Sequence, residues 1–486
     1  MVLTKTRKEG EPLFPEVLSP SFSFLSLRKC VSLLFKTDTL VSNYKTHYRA
    51  NFKLAFPVVL SQAGQMCVVM ADTLMVGQLG EVPLAAVSLG GNLSVIALFL
   101  GIGIAYGITP LVGKSFGNQD HDNISYLLRQ IRYVGWFTGF MLVSLMGLMY
   151  FLIPHMGQPQ EVVQAVQPYF LTLMAALLPS QIFAVNKQFA EGLSNTRIAM
   201  MITITGNLIN IFLNYIFIYG KFGCPAMGLL GAGYATLIAK IVMALLMDLS
   251  IRRVSLFKRY HLQAAQSNFS WQSLRKIVLQ GLPIGGQMVI EVVAFSAGAI
   301  MMGWIGTTAL AAHQIVMTLV SFTYMISSGL ASATTIKISI FSGQQRLVDL
   351  RHSAWASIQM VVVFMLFNGV VFVLARRAIP SLFIHDQAVI DVAAQLLLVG
   401  GLFQLFDGVQ VVALGVLRGM EDFVFPALVS GIAYILISLP IGYLFSIVLQ
   451  AGPTGIWYGY LVGLAVAGIL LVLRIKKHFR ATTYRV

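Results

Sequence analysis

Glu291 is flanked by Val289, Ile290, Val292 and Val293, and an acid in such a run needs a task. An ionised carboxylate at the centre of a membrane helix costs about 2.5 to 3.5 kcal/mol on insertion scales. That cost is met by binding a cation, relaying a proton or pairing with another polar group. Asp407 stands in an equally apolar stretch, Phe403-Gln404-Leu405-Phe406-Asp407-Gly408-Val409-Gln410; Gln404, three residues earlier, shares its helix face. Asp72, in Met70-Ala71-Asp72-Thr73-Leu74-Met75-Val76-Gly77, lies nearer the end of its apolar run, where it either joins this chemistry or faces water. Asn207, Asn210 and Asn214 recur at spacings of three and four and form one helical stripe. Such a stripe lines a polar cavity or ties helices together by hydrogen bonds averaging about 0.6 kcal/mol in membranes. Gln287 and Gln65, amides within the same apolar spans, complete the polar candidates.

The elements that position these residues follow from composition. Of 486 residues, 57% are hydrophobic and only 10% charged, against about 25% charged in a soluble protein. A spanning helix needs about 20 mostly apolar residues, because the hydrocarbon core is about 30 Å thick and offers backbone groups no partner. Twelve segments satisfy this: 55–77, 89–112, 133–154, 168–190, 198–218, 229–251, 277–305, 315–336, 358–374, 389–417, 425–449 and 456–473. Glu291 then lies deep in the seventh span and Asp407 deep in the tenth. Lys187, Lys240 and Asp248 lie nearer helix ends, where long side chains snorkel to the interface.

The net charge of +15 would suggest nucleic acid in a soluble protein, but here the basic residues report topology. Lys114, Arg129, Arg132, Arg197, Lys337, Arg346, Arg351 and Arg418 are assigned to the even-numbered connections, whereas the odd-numbered ones hold only Lys221, Arg376 and Arg377. The positive-inside bias therefore predicts an inner (plasma) membrane protein with both termini cytoplasmic. Residues 1–48 are read as a basic cytoplasmic leader or an overextended translation start, and 475–486 as a basic tail. Cys30, Cys67 and Cys224 are too scattered for a metal site or disulfide framework. No G-x-x-x-x-G-K-[ST] loop for ATP and no H-E-x-x-H pattern occurs, so we expect neither an ATP-driven pump, nor an enzyme, nor a bound cofactor.

An internal repeat fixes the architecture. A shift of 226 residues superposes Pro57 on Pro283, Gly77 on Gly303, Gly80 on Gly306, Gly103 on Gly329, Thr109 on Thr335 and Gly117 on Gly343 without a gap. A six-helix unit is thus duplicated, with lobes at 49–252 and 276–474 joined by a cytoplasmic loop at 253–275. Six is even, so the halves share one orientation and are related by an axis along the membrane normal. The fold class is all-α, polytopic, with two six-helix bundles facing a cleft near the midplane, where substrates and coupling ions sit in such folds. Gln65 occupies the repeat position of Glu291, so the halves differ where chemistry would differ.

Met70-Ala71-Asp72-Thr73 through Gly77, Gly281-Leu282-Pro283-Ile284-Gly285-Gly286 before Glu291, Ala311-Ala312-His313-Gln314-Ile315, and Asp407-Gly408-Val409-Gln410 with Leu417-Arg418-Gly419 resemble the multidrug and toxic compound extrusion (MATE) family, in its NorM-like branch. The resemblance runs from about Tyr48 to Lys476. It implies a secondary antiporter that expels cationic, often aromatic compounds in exchange for Na⁺ or H⁺. It assigns the cation site to Glu291 and Asp407, the N-terminal-lobe acid to Asp72, and an asparagine pair to Asn210 and Asn214. Phe403 stands where some members carry tyrosine, and Ala232 where some carry cysteine. The partners expected are small cationic molecules, a monovalent cation and the bilayer, with the chain a monomer. A flippase of lipid-linked substrates on a related duplicated bundle is the alternative; it would need a strongly basic central cavity.

Overall fold

The computed structural model describes residues 41–264 and 268–483; the first 40 residues of the expected leader lie outside them. Contacts divide the chain into Met1–Lys45 and Thr46–Val486, and the second unit carries the helical bundle. Among the described residues, twelve helices are long and apolar enough to cross a membrane: α1 (Tyr44–Gly77), α2 (Glu81–Gly117), α3 (His121–His155), α4 (Gln160–Gly192), α5 (Thr196–Tyr219), α6 (Leu229–Arg253), α7 (Trp271–Ile305), α8 (Thr307–Gly343), α9 (Leu347–Leu374), α10 (Gln387–Gly419), α11 (Val424–Val448) and α12 (Pro453–Arg480). Most extend beyond the apolar run that announces them, because helix continues into the polar interface until a cap stops it. Asp120 and Asn195 accept from the backbone N–H three residues on, and Gly220 closes α5 in the left-handed region at φ 67°.

Two elements depart from the sequence reading. The 253–275 connection contains an amphipathic helix, Ser255–Ala264, that buries Phe257 and Tyr260 completely; Phe257 packs on Phe189 of α4 with ring centroids 6.3 Å apart. Helix α11 is wound as π-helix over Ile432–Ser438 and Leu444–Val448, either side of a short α-helical stretch. Pro440 lies in that stretch and has no N–H for the carbonyl four residues back, so the helix accommodates it by widening.

Packing repeats with the sequence. Helix α4 packs on α2, α3 and α6, and α10 packs on α8, α9 and α12; α5 pairs with α6 as α11 pairs with α12. The lobes meet where α2 runs along α7 and α8, through glycine. A Cβ on Gly103 would lie 2.2 Å from the Gly285 Cα, and one on Gly281 2.4 Å from the Ile104 Cα. A Cβ on Gly117 would meet the Ile340 carbonyl at 2.2 Å, and one on Gly343 the Lys114 carbonyl at 2.1 Å. The last two contacts are exchanged by the 226-residue shift, which carries Gly117 to Gly343 and Lys114 to Ile340. Small residues let membrane helices approach this closely. The seam lies in the half of the molecule nearest the basic connections. The lobes are therefore in backbone contact at the basic end.

The basic end is also pinned by charge. Lys114 of α2 pairs with Glu421 after α10 at 2.9 Å. Asp422, in the α10–α11 turn, accepts from Arg474 Nε at 2.8 Å and lies 2.9 Å from His478 Nε2, both on α12. Burial by itself would raise the Asp422 carboxyl, but the hydrogen bonds from His478 and Arg474, with their charges, outweigh it and hold its pKa below the ordinary carboxylate value. A depressed folded pKa means stabilisation that is present above the ordinary carboxylate pKa and lost as pH falls through the folded value. Asp422→Asn should therefore destabilise the protein by about 1.5 to 3 kcal/mol at neutral pH. In thermal unfolding the gap between variant and wild type should close on acidification below about pH 4.

Candidate functional site

Between the lobes, above the glycine seam, lies a cavity to which both contribute. Tyr106, Gln188 and Glu191 come from the N-terminal lobe, and Gln287, Glu291 and Arg418 are among the residues from the C-terminal lobe. It is polar because three ionisable side chains on three helices point into one space.

Glu291 is its centre. Gln287, one turn earlier on α7, donates Nε2 to Glu291 Oε1 at 2.9 Å, and Gln410 Nε2 of α10 reaches the same oxygen at 3.3 Å. Gln410 is held by the Tyr434 hydroxyl of α11 at 3.1 Å. Arg418 donates to Gln287 Oε1 at 3.2 Å, and its guanidinium carbon lies 5.8 Å from the Tyr106 ring centroid across the lobe boundary. The Arg418 charge acts on Glu291, so this acid has an intramolecular counter-cation.

Asp407 is 6% exposed and feels the charge of Glu291. Its Oδ2 and both side-chain polar atoms of Gln404, one turn earlier, are buried without a hydrogen-bond partner. Unsatisfied buried oxygens are rare in native proteins and call for an occupant. Carboxylate and amide oxygens are hard donors of the kind that suits a small cation or a proton rather than a thiophilic metal.

Asp72 belongs to a separate cluster inside the N-terminal lobe. Asn214 Nδ2 donates to Asp72 Oδ1 and to Asn210 Oδ1, the latter at 3.3 Å, and Asn210 Nδ2 donates to Thr236 Oγ1 at 3.2 Å. Asn210 and Asn214 are buried, so the asparagine stripe joins α1, α5 and α6 rather than facing the inter-lobe cavity. Lys240 lies within electrostatic reach of Asp72. It sits in the middle of α6 (Leu229–Arg253) rather than near its end, and snorkelling does not describe it.

The other expected site residues divide. Gln287 lines the cavity and orients Glu291. Gln65 is half-buried and makes no hydrogen bond among the described residues. Phe403 is 1% exposed and packs against Trp457 and Phe295, with centroids at 5.4 and 6.4 Å, in the core of the C-terminal lobe. It shares α10 with Asp407 but does not line the cavity, so its part is to hold that helix in place. Among the intraspan charges, Asp248 is an ion-pair acceptor for Arg132 at 3.0 Å and Arg252 at 2.7 Å.

Two residues escape the sequence reading. Glu191 is 2% exposed at the end of α4, pairs with Lys187 at 3.7 Å and lines the cavity, so buried acids are not confined to Glu291, Asp407 and Asp72. The fourth span, drawn to residue 190, stops one residue short of it; the signal available was Lys187 four residues earlier on the same helix face. Arg418, assigned to a loop as topological charge, is in the last turn of α10 and faces inward.

Residues 57–216 and 283–444 match the MatE family, one block in each lobe. The chain is 31% identical over 444 residues to the probable multidrug resistance protein NorM of Rhizobium meliloti, covering 90% of this chain and 95% of that one. It is 30% identical to the multidrug resistance protein MdtK of Photorhabdus laumondii, over 90% and 96% of the two chains. Among solved structures it is similar to the eukaryotic MATE transporter AtDTX14, at TM-score 0.80 and 19% identity over 91% of this chain and 99% of that one. It is also similar to a multidrug resistance MATE family transporter in an outward-facing conformation, at TM-score 0.79 and 21% identity over 90% and 96%. With twelve membrane-length helices, paired lobes and a family match in each of them, the chain belongs to the MatE family of multi-pass membrane transporters and is not an enzyme.

Proposed function

We propose that this protein is a secondary active multidrug exporter that expels cationic, aromatic small molecules in exchange for Na⁺ or H⁺ bound at Glu291 and Asp407. It acts as a monomer in the plasma membrane with both termini cytoplasmic. The observation that carries this reading is the pair of carboxylates within α7 and α10: Asp407, buried with an orphaned oxygen, and Glu291, lining a cavity walled by both lobes. With the basic connections on the cytoplasmic side, lobes in contact at that end describe a state shut toward the cytoplasm, from which drug leaves and the coupling ion enters on the other side. The names of the relatives, NorM and MdtK multidrug resistance proteins, support multidrug substrates. Two acids and one arginine in the cavity weigh against a basic, pyrophosphate-binding flippase.

The energetics suffice. One Na⁺ entering down 100 mV releases about 2.3 kcal/mol, and a tenfold gradient adds about 1.4 kcal/mol. Together, about 3.7 kcal/mol sustains a gradient of roughly 500-fold for a neutral substrate, whereas one-for-one exchange for a monovalent cation cancels the voltage term and leaves about tenfold. The test is transport of a fluorescent cationic dye in inverted vesicles with Na⁺ and pH gradients imposed separately. Dye movement driven by one of the two identifies the ion, and indifference to both removes the antiporter reading.

Arg418 gives this mechanism a specific form. A guanidinium acting on Glu291 competes with the coupling cation for the same negative charge, and it keeps the empty site from being two unneutralised carboxylates. Arg418→Gln should therefore tighten binding of the coupling cation about tenfold, for about 1.4 kcal/mol of lost competition. The same variant should slow dye efflux, because the cation is released less readily. Unchanged cation affinity, measured by direct titration of purified protein, would confine Arg418 to its contacts with Gln287 and Tyr106.

A further inference from the structure

A second cavity lies at the basic end, away from the acids, where the start of α1, the α4–α5 turn and the end of α8 converge. Its lining includes Lys53, Asn195, Thr196, Arg197 and Lys337, and no lining residue is acidic. Lys53 and Arg197 belong to the N-terminal lobe and Lys337 to the C-terminal lobe. Lys337 is 7% exposed; its amino group lies 3.5 Å from His47 Nδ1 and 5.5 Å from the centroid of the Phe341 ring. The carboxylate whose charge reaches it, Asp349, is engaged elsewhere, by Arg346 at 2.8 Å and His47 at 3.6 Å. Among the described residues, three cations thus line a concave space with no acidic residue in its wall.

The apolar surroundings narrow the choice of anion. Phe56, three residues after Lys53 and on its helix face, is 55% exposed, and Phe52 is 61% exposed with its ring 6.0 Å from that of Phe56. Met201, four residues after Arg197, is 63% exposed. Cationic side chains lie at the end of a membrane helix with unpartnered aromatic and thioether surface one turn deeper, an arrangement that suits a headgroup above and acyl chains below. Basic pockets between membrane helices on the cytoplasmic side recognise acidic headgroups in this way.

We propose that this cavity binds the phosphodiester headgroup of an anionic phospholipid, held by Lys53 and Arg197 from one lobe and Lys337 from the other. Because the ligand bridges the lobes at the closed end, it favours the conformation in which that end is shut; a ligand shifts an equilibrium toward the state it binds better. The site is distinct from the cation site and does not depend on which ion drives transport.

The test uses purified full-length protein in detergent, titrated with phosphatidylglycerol or phosphatidylcholine and read by native mass spectrometry. Phosphatidylglycerol is expected to bind about tenfold more tightly than phosphatidylcholine, with the preference abolished in a Lys53→Gln, Arg197→Gln variant and kept in a Lys476→Gln, Lys477→Gln control. Lys337→Gln should also abolish it, but Lys337 is buried; the double variant of exposed residues answers the question if Lys337→Gln fails to fold. Equal binding of the two lipids by wild type, or an undiminished preference in the double variant, would overturn the proposal. So would displacement of the lipid by an equal concentration of inorganic phosphate, which would assign the cavity to a soluble anion.

Discussion

Glu291→Gln and Asp407→Asn are each expected to reduce ion-coupled efflux to the background of vesicles without the protein, at matched expression and with folding intact. The amides preserve shape and much of the hydrogen bonding: Gln at 291 can still bond Gln287 and Gln410, and Asn at 407 matches aspartate in size. They remove the charge, and a neutral amide neither exchanges a proton at physiological pH nor neutralises a bound cation. A second readout separates this from a general defect. If drug and cation favour opposite arrangements of the lobes, coupling is reciprocal, so raising the coupling cation should weaken equilibrium drug binding to purified wild type by about 5- to 150-fold. In the Glu291→Gln, Asp407→Asn double variant that dependence should vanish while drug still binds. Drug affinity indifferent to both ions in wild type would remove the mechanism, because a ligand without differential affinity moves no equilibrium.

Gly103→Leu should be as damaging by a purely steric route. The first atom of the new side chain would sit 2.2 Å from the Gly285 Cα and 2.8 Å from the Ile284 carbonyl carbon, and backbone cannot step aside as a flexible side chain can. Overpacking costs about 1 to 3 kcal/mol where side chains can adjust, and here they cannot, so α2 must separate from α7. We expect a protein that inserts and folds within each lobe but cannot close the basic end, with dye efflux lost. Spin labels at Asn118 and Gln345, in a background lacking the native cysteines, should move apart relative to wild type. Gly147→Leu is the matched control, since nothing lies within 4 Å of a Cβ built there. Normal transport by Gly103→Leu would mean that the seam is not part of the cycle.

These contrasts bear on what the sequence carries. The twelve helices were legible because the hydrocarbon core imposes length and apolarity on each helix separately, and the lobes because a gap-free shift of 226 residues preserves the glycines at which helices touch. The structure adds that the repeat extends to contacts, since Gly117 with Ile340 and Gly343 with Lys114 are one contact written twice. Glu291 and Asp407 were legible because acids in valine and phenylalanine runs have few alternatives. Arg418 and Glu191 were not, because both fall within a residue of a drawn span end, where charge is ordinary and only tertiary structure decides whether it turns inward. Phe403 failed differently: its position one turn before Asp407 is a statement about sequence, whereas the aromatic cluster with Trp457 and Phe295 draws its ring away from the cavity. The asparagine stripe was correctly periodic, but periodicity does not tell which neighbour a face will meet.

The placement of Arg418 has an electrical consequence. It rides on α10 with Asp407, in the same lobe as Glu291, so the three charges travel together when the lobes rearrange. Each elementary charge carried through the full field of 100 mV exchanges about 2.3 kcal/mol with the membrane. Two bare carboxylates would therefore make the unloaded return stroke strongly voltage-dependent, and a polarised cell would push that stroke in one direction. With a guanidinium fixed among them, the moving unit carries one net negative charge fewer in every state, and the membrane potential has correspondingly less to act on. The built-in cation thus sets how much of the cycle is electrogenic, and Arg418→Gln turns the return of the empty carrier into a step whose rate is read by the voltmeter.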